Sequence, residues 1–210
     1  MIIAIDGPAA AGKGTLARKL ADRFNLTYVD TGALYRATGL RAMRAGTDLS
    51  DAAAVAAEAS AITAADREDP ALRDEATGDM ASKVSAIPQV RAALLDYQRN
   101  FAANPPAGFD GAILDGRDIG TVVCPEADAK LYVTASDEVR AHRRWLELKA
   151  KGSDVEEATV LAEMQERDAR DAARATAPMK PADDAHLLDT SELAIEAAFD
   201  AAREFVSNKI

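Results

Sequence analysis

The sequence has few of the residue types that build disulfide scaffolds or metal centres. It contains one cysteine, Cys124, so it cannot form a disulfide within the chain. Pro125 follows this cysteine and no histidine lies near it in sequence, so a buried structural thiol is a better interpretation than a reactive one. His142 and His186 stand apart, and no spacing typical of metal ligands occurs. Disulfide-rich folds and histidine–cysteine metal sites are therefore excluded.

Long hydrophobic runs and an excess of positive charge are also missing. The apolar run of residues 1–5 is far too short to span a bilayer, and no basic leader accompanies it. The formal net charge is −10, which argues against a broad positive surface for nucleic acid or anionic membrane. Together with the single cysteine, these features predict a cytoplasmic protein with no nucleic-acid or membrane partner.

The composition that remains is that of a compact domain with an aliphatic core. Of the 210 residues, 48% are apolar, 29% are charged and only 5% are aromatic. This length fits one domain, or one core with small mobile insertions.

Short apolar runs alternate with longer amphipathic stretches along the chain. The predicted strands are residues 2–6, 27–30, 112–115, 130–134 and 186–188, and the predicted helices are residues 14–24, 32–45, 88–103, 136–150, 155–173 and 191–208. This alternation predicts an α/β fold, a parallel sheet of five strands flanked by helices. Three of the strands run into an aspartate, at Asp6, Asp30 and Asp115, at the sheet edge where such folds bind ligands.

Two regions interrupt the alternation. Residues 48–87 are polar and helical in pattern, with at most a short strand near Ile62. Residues 140–174 form two highly charged helices joined by a turn at residues 151–154, with few large apolar side chains. We expect both regions to be peripheral and mobile, the second especially when the site is empty.

The strongest motif lies between the first predicted strand and the first predicted helix. Its residues are Gly7, Pro8, Ala9, Ala10, Ala11, Gly12, Lys13, Gly14 and Thr15. Glycine lets successive backbone N–H groups approach phosphates, and Lys13 adds a mobile positive charge, so the motif predicts an ATP-binding loop. Gly14 replaces the usual hydroxyl, which comes one place later at Thr15, so water-mediated coordination of Mg²⁺ is favoured over direct coordination. The alternative is a glycine-rich turn that only links strand to helix.

A second cluster runs from Asp30 to Arg36, after the second predicted strand. Thr31 is a favourable helix N-cap, and Arg36 follows on the helix just beyond. A hydroxyl, a helix N-terminus and a guanidinium together form a candidate anion site opposite the first loop. A plain capped helix with a surface arginine would produce the same pattern.

A third cluster, residues 115–121, follows the third predicted strand. Charges at the end of a buried strand need a ligand, a metal or one another. Asp115 stands where a carboxylate could hold the water shell of Mg²⁺, and Arg117 and Asp118 come directly after it. A local arginine–aspartate salt bridge is the alternative.

The fourth cluster consists of Arg167, Arg170 and Arg174, which share one face of a predicted helix. Three guanidinium groups beside a phosphate loop could neutralise a phosphoryl group during its transfer. A solvated helix with surface ion pairs is the commoner origin of such a pattern.

Taken together, these segments resemble the bacterial cytidylate kinases, a family of P-loop nucleoside monophosphate kinases, over most of the chain. The segments that carry the resemblance are GPAAAGKGT, DTGALYR, SKVSAIPQVR, DGRDIGTVV, RAHRR, ERDARDAAR and LLDTS. Only the first is specific by itself, so the order and spacing matter most. The resemblance implies a monomer that phosphorylates CMP, and dCMP, with ATP and Mg²⁺.

The resemblance also implies roles for individual residues. CMP would be bound by Thr31, Arg36 and Arg174 at its phosphate, by Ser82, Arg91 and Asp118 at its base, and by Arg167 and Asp171 from the lid, with Asp171 near the ribose. Catalysis would depend on Lys13, Arg117, Arg167, Arg170 and Arg174. Cytosine offers an amine donor and two acceptors, which a carboxylate, a guanidinium and a hydroxyl can complement.

In the implied organisation, a single kinase domain has three parts. The core comprises residues 1–31, 105–139 and 175–210, the CMP-binding part residues 32–104, and the mobile lid residues 140–174. The sequence departs from the family at Thr31, where serine is frequent, and between residues 62 and 82. This second segment is short, so the small β-sheet that relatives insert there should be reduced.

Two other classes of protein compete with this interpretation. One is another small-molecule P-loop kinase, acting on UMP, shikimate or gluconate. The other is a non-catalytic nucleotide-binding regulator or a GTPase-like switch. Against the second, the chain lacks an Asn/Thr-Lys-x-Asp guanine-reading motif and has more arginines than one bound nucleotide needs. The implied reaction is a direct in-line transfer, in which an already anionic phosphate oxygen needs no strong base.

Overall fold

A single parallel sheet forms the centre of the molecule in a computed structural model that describes residues 1–209. Its strands are β1 (Ile2–Asp6), β2 (Leu26–Asp30), β3 (Gly111–Asp115), β4 (Ala129–Thr134) and β5 (His186–Asp189). They lie in the order β2-β3-β1-β4-β5, and every neighbouring pair is parallel. The predicted five-stranded parallel sheet is confirmed, and each strand begins and ends within one residue of its predicted bounds.

Helices cover both faces of this sheet. They are α1 (Lys13–Phe24), α2 (Thr31–Ala45), α3 (Ala52–Ser60), α4 (Ala64–Glu68), α5 (Glu75–Ser85), α6 (Pro88–Ala103), α7 (Asp137–Ala150), α8 (Glu157–Ala172) and α9 (Ile195–Ser207). The helix predicted over 191–208 begins four residues late, because the backbone and side chain of Ser191 donate to the Asp189 carboxylate in a local turn instead. Residue 210, at the end of the predicted core, lies outside the described residues.

The core has one apolar layer on each side of the sheet. On one side Leu20 of α1 and Val206 of α9 pack against the strands. On the other, Ala102 of α6 and Ile119 pack against Leu114 of β3. All of β3 is buried, as expected for a central parallel strand covered on both faces. Each large aliphatic side chain buried here contributes about 1.5–3 kcal/mol, which fixes the strand ends that carry the site.

Residues 48–87 are helical in the structure, so the strand considered near Ile62 was wrong. The side chain of Ile62 instead packs from the α3–α4 loop against a satellite core that includes Val55, Val84 and Leu94. A short 3₁₀ turn, Pro70–Arg73, joins α4 to α5. Within residues 62–82 the structure therefore has no strand, in agreement with the expected reduction of an inserted sheet.

Helices α7 and α8 form an antiparallel hairpin with a small apolar cluster of its own. Its buried members are Ala141, Leu148, Val160 and Met164. Ala9 and Ala10 of the phosphate loop pack against the same cluster. At its base, Arg140 donates to the Asp168 carboxylate at 2.6 Å and to the Ala9 carbonyl at 3.3 Å. The charged hairpin thus contacts the phosphate loop through both apolar and polar groups.

Candidate active site

The loop between β1 and α1 has the backbone geometry of an anion-binding loop. Gly12 stands at the N-cap of α1 with φ 91°, and no side chain caps the helix, so its first N–H groups remain free for a ligand. Gly7 has φ 137°, and a Cβ there would lie 2.0 Å from the carbonyl oxygen of Val133. Only glycine fits at this position. The backbone of this loop therefore has the geometry that the predicted phosphate loop requires.

Lys13 lies buried at the centre of this loop. Its Nζ donates to the carbonyl of Pro8 at 2.8 Å and lies 3.9 Å from Oδ1 of Asp115. Burial, followed by repulsion from Arg117, lowers the pKa of Lys13 to about 8. A bound polyphosphate would place negative charge next to the Lys13 ammonium and offset these effects, so the side chain suits an anionic ligand.

The carboxylate of Asp115 lies beside Gly14 of the loop. A Cβ at Gly14 would lie 3.3 Å from Oδ2 of Asp115, and the Tyr28 hydroxyl donates to the same oxygen at 3.4 Å. Thr15, which carries the displaced hydroxyl, is exposed. The space next to Gly14 is thus bordered by a carboxylate instead of a loop hydroxyl.

Asp6 links the phosphate loop to the segment after β3, a connection that the sequence reasoning missed. Its two carboxylate oxygens accept from the backbone N–H groups of Ile119 and Gly120, each at 2.7 Å. Those groups begin a turn of π-helix, Ile119–Val123, directly after Asp118. The only signal in the sequence was an aspartate at the end of a buried strand.

Replacing Asp6 with asparagine is expected to remove a pH dependence from folding. Burial raises the pKa of Asp6 from 3.8 to about 7, against the two backbone bonds that lower it. The pKa of Asp6 is higher in the folded state than in the unfolded state. Its contribution to the free energy of unfolding is therefore largest below about pH 4 and is lost as the pH rises through about 7. Asparagine does not titrate, so the stability of Asp6→Asn relative to wild type should improve across that interval.

Urea denaturation at several pH values measures this difference. The matched control is Asp128→Asn, which removes an exposed carboxylate that accepts from the Ile2 N–H at 2.7 Å, at the opposite end of β1. If the free energies of unfolding of wild type and Asp6→Asn differed by a constant amount from about pH 4 to about pH 8, the prediction would be contradicted.

The second predicted cluster has a different cap from the one expected. Asp30, not Thr31, is the N-cap of α2, and its carboxylate accepts from the Ala33 N–H at 3.2 Å. Thr31 is the first helical residue, and its buried hydroxyl donates to the carbonyl of Asp115 at 2.8 Å. Arg36 forms an ion pair with Asp30. Thr31 and Arg36 both line the same cavity as Lys13.

The charges after β3 are paired with distant residues, so a local salt-bridged turn is wrong. Asp118 forms a buried ion pair with Arg91 of α6. The Arg91 guanidinium lies over the ring of Tyr35, 5.4 Å from its centroid. Arg117 donates to the Gly7 carbonyl at 2.9 Å and to Asp171 at 3.1 Å. These contacts bring α6, α8 and the phosphate loop to one place.

The three arginines near the end of the hairpin differ in how they are paired. Arg170 donates to Asp79 and to Glu166, each at 2.9 Å, so the ion-paired helix considered above applies to this residue alone. Arg167 and Arg174 each carry a buried nitrogen, Nε and Nη2 respectively, without a partner among the described residues. Burial, followed by repulsion from Arg117, also lowers the pKa of Arg167 to about 10.

One cavity of about 760 Å³ brings these groups together. Its lining includes every predicted acceptor residue, namely Thr31, Arg36, Ser82, Arg91, Asp118, Arg167, Asp171 and Arg174. It also includes Lys13, Asp115, Arg117 and Arg170, with Ala9 and Ala10 of the phosphate loop. Within it, the Ser82 hydroxyl donates to Asp171 at 2.9 Å. The predicted acceptor residues therefore share one space with Lys13, Ala9 and Ala10, while the other predicted ATP-binding residues are outside its lining.

Metal-ligand clusters and membrane-spanning helices are both absent from the described residues. Within residues 1–209, no three or more histidine, cysteine or carboxylate side chains converge in a way that could hold a metal ion. Among the helices of the same residues, none is long and apolar enough to cross a membrane.

Solved structures with a similar fold include proteins of distant sequence. An uncharacterized protein from Eubacterium ventriosum has a TM-score of 0.56 at 14% identity, over 99% of this chain and 98% of that one. A sugar kinase from Janibacter sp. HTCC2649 has a TM-score of 0.52 at 15% identity, over 98% of this chain and 94% of that one. At these identities the similarity supports the α/β fold alone.

Sequence relatives are much closer than these structures. Residues 3–208 match the family model for cytidylate kinase. A cytidylate kinase from Rhodospirillum rubrum is 57% identical over 100% of this chain and 98% of its own length. Another, from Paramagnetospirillum magneticum, is 56% identical over 99% of this chain and 98% of its own length. Since this similarity extends over the phosphate loop and every segment that lines the cavity, the chain belongs to the cytidylate kinase family.

Proposed function

We infer that this protein transfers the γ-phosphoryl group of ATP to CMP. Membership of the cytidylate kinase family supports this activity, and one structural observation supports the cavity as its site. A single cavity joins the phosphate loop to the buried Arg91–Asp118 pair and is lined by Arg167 and Arg174, each of which has a buried guanidinium nitrogen without a partner among the described residues. Unpaired buried donors are costly, so an anionic ligand would stabilise them.

The transfer is proposed to be direct. ATP would bind along residues 7–15, with Lys13 between its terminal phosphates. CMP would bind across the cavity, and its phosphate oxygen would attack the γ-phosphorus in line. That oxygen is already anionic, so positioning and charge neutralisation would supply most of the rate enhancement. Arg117, Arg167 and Arg174 are the proposed neutralising groups, and Arg170 would contribute only after it exchanges its carboxylate partners.

The acceptor is proposed to be read by residues from three elements. Asp118 would accept from the cytosine amine, while Arg91 would face its acceptor atoms, joined by Ser82 once that hydroxyl releases its bond to Asp171. Asp171 would lie near the ribose, and Thr31 and Arg36 near the phosphate. The Thr31 hydroxyl already donates to the backbone, so the Thr31 N–H at the start of α2 is the better donor to phosphate.

Mg²⁺ is proposed to accompany ATP. The described residues contain no convergent set of three metal ligands, which fits an ion held mainly by phosphate oxygens and water. Asp115 is the residue suited to hold that water, because its Oδ2 borders Gly14 and its Oδ1 lies 3.9 Å from Lys13. When bound, the ion would neutralise charge on the transferring phosphates.

The three-part organisation is also a proposal. Residues 140–174 would close as a lid over the core, and residues 32–104 would enclose the acceptor. The contacts of Arg170 with Asp79 and of Asp171 with Ser82 support such a closure, because they already bridge the lid and the acceptor part. We further propose that the protein acts as a monomer on CMP and dCMP in the cytoplasm, where nucleotides and ATP occur together, without nucleic-acid or membrane partners.

A panel of acceptors tests the activity. CMP, dCMP, UMP, AMP, shikimate and gluconate are each supplied with ATP and Mg²⁺, and ADP release is measured in a coupled assay. We expect kcat/KM for CMP to exceed that for UMP by at least about tenfold, since a polar group left unpaired by the wrong base is costly. A higher value for UMP, shikimate or gluconate would identify the competing kinase class, and no transfer to any acceptor would favour a regulator.

A further inference from the structure

Ser85, the last residue of α5, has a hydroxyl with a fixed direction. The residue is 5% exposed. Its Oγ donates to the carbonyl of Ser82 at 2.8 Å and accepts from Nη1 of Arg174 at 3.1 Å. A hydroxyl has one proton, and here that proton is directed at the helix carbonyl. The lone pairs of Ser85 are therefore directed at Arg174.

This contact determines how Arg174 is presented to the cavity. The Nε of Arg174 donates to the carbonyl of Asp171 at 3.0 Å, and Nη1 donates to Ser85. Nη2 is buried without a partner among the described residues. Two neutral oxygens thus fix the plane of the guanidinium without neutralising its charge. Because Arg174 lines the cavity, its charge and its unused donor lie near an anion bound there.

The same end of α5 also receives Arg91. Its Nη1 donates to the backbone carbonyl of Ser85 at 3.3 Å, while its other terminal nitrogen pairs with Asp118. The carbonyl end of a helix attracts positive charge, which favours the approach of both guanidinium groups to the end of α5. Ser85 consequently contacts one arginine through its side chain and the other through its backbone.

We propose that Ser85 is a positioning residue for phosphoryl transfer, which orients Arg174 so that Nη2 faces the acceptor phosphate. The proposal rests on the proposed function and adds a residue to it. Ser85 also lines the cavity, but its proton is already donated to the Ser82 carbonyl, so it is proposed to act through the guanidinium. Removing its hydroxyl should let Arg174 rotate within a cavity that offers other partners, including the carboxylate of Asp118.

The first test is Ser85→Ala. We expect kcat/KM for CMP to fall about tenfold, the loss typical of one hydrogen bond to a charged group. The KM for ATP should change by less than about twofold, because the phosphate loop is not involved. Ser60→Ala is the matched control, since Ser60 also ends a helix and donates to a backbone carbonyl, that of Ala56 at 3.0 Å, but has no hydrogen bond with an arginine among the described residues. The control should keep wild-type values.

A double-mutant cycle with Arg174→Ala distinguishes positioning from a general structural role. If Ser85 acts through Arg174, Ser85→Ala should have no further effect on kcat/KM in the Arg174→Ala background. Equal losses in both backgrounds, or no loss in the wild-type background, would overturn the proposal. Should Ser85→Ala fold poorly, Ser85→Cys replaces the acceptor with a weak one at nearly constant volume, and the same cycle applies. Failure of the wild-type protein to use CMP would instead contradict the proposed function.

Discussion

Replacing Lys13 with methionine is expected to lower kcat by about a hundredfold or more. Methionine keeps most of the bulk of the buried lysine stem and removes the charge that would lie between the terminal phosphates of ATP. It also removes the donor to the Pro8 carbonyl, a small structural loss beside the electrostatic one. Steady-state kinetics with saturating ATP and CMP measure the effect, and thermal unfolding shows whether the fold is intact.

Lys19→Met on the same helix is the control for this variant. Lys19 pairs with Glu196 at 2.6 Å on the surface, away from the cavity, so its loss should leave kcat unchanged. If Lys13→Met kept more than about a tenth of the wild-type kcat, the role proposed for the loop would be wrong.

Breaking the buried Arg91–Asp118 pair should have the second large effect. Arg91→Ala or Asp118→Ala leaves an uncompensated buried charge, which lowers the free energy of unfolding by about 3–5 kcal/mol. Each substitution also removes a proposed partner of the base. We expect kcat/KM for CMP to fall between about a hundredfold and about a thousandfold. ATP affinity, measured by titration without CMP, should change by less than about threefold, because neither residue contacts the phosphate loop.

The control for this pair is Arg44→Ala, which breaks an exposed ion pair with Asp69 on the acceptor side of the molecule. It should change neither quantity, as is usual for surface pairs. Unfolding of each variant is followed in parallel, so that a loss of folded protein is separated from a loss of CMP use. An equal fall in ATP affinity would place Arg91 and Asp118 in the wrong subsite.

The sequence predicted those parts of the molecule that depend on residues close together in the chain. Each strand was located by its apolar run, and the phosphate loop by its glycine spacing between a strand and a helix. The prediction that Thr31 caps α2 was wrong, because Asp30 and Thr31 are adjacent and both are good capping residues. Which one caps depends on the Asp115 carbonyl, which draws the Thr31 hydroxyl away.

Pairings between distant residues could not be predicted in the same way. Asp118 is next to Arg117 in sequence but pairs with Arg91, and Arg117 pairs with Asp171. Helical spacing places Arg167, Arg170 and Arg174 on one face but does not show that Asp79 lies opposite Arg170 alone. The contact between Arg170 and Asp79 follows from the packing of α5 against α8, which is a tertiary property.

The in-register pairing of β1 with β3 fixes the distance between two segments of the site. Ile5 lies opposite Asp115, so the loop that begins at Gly7 and the segment that carries Asp118 leave neighbouring strands side by side. Adjacent strands are about 4.8 Å apart, and backbone hydrogen bonds hold that spacing more rigidly than any helix contact. An acceptor of different size would therefore be accommodated by movement of α2, α5 and α6, since these helices can shift without stretching the sheet.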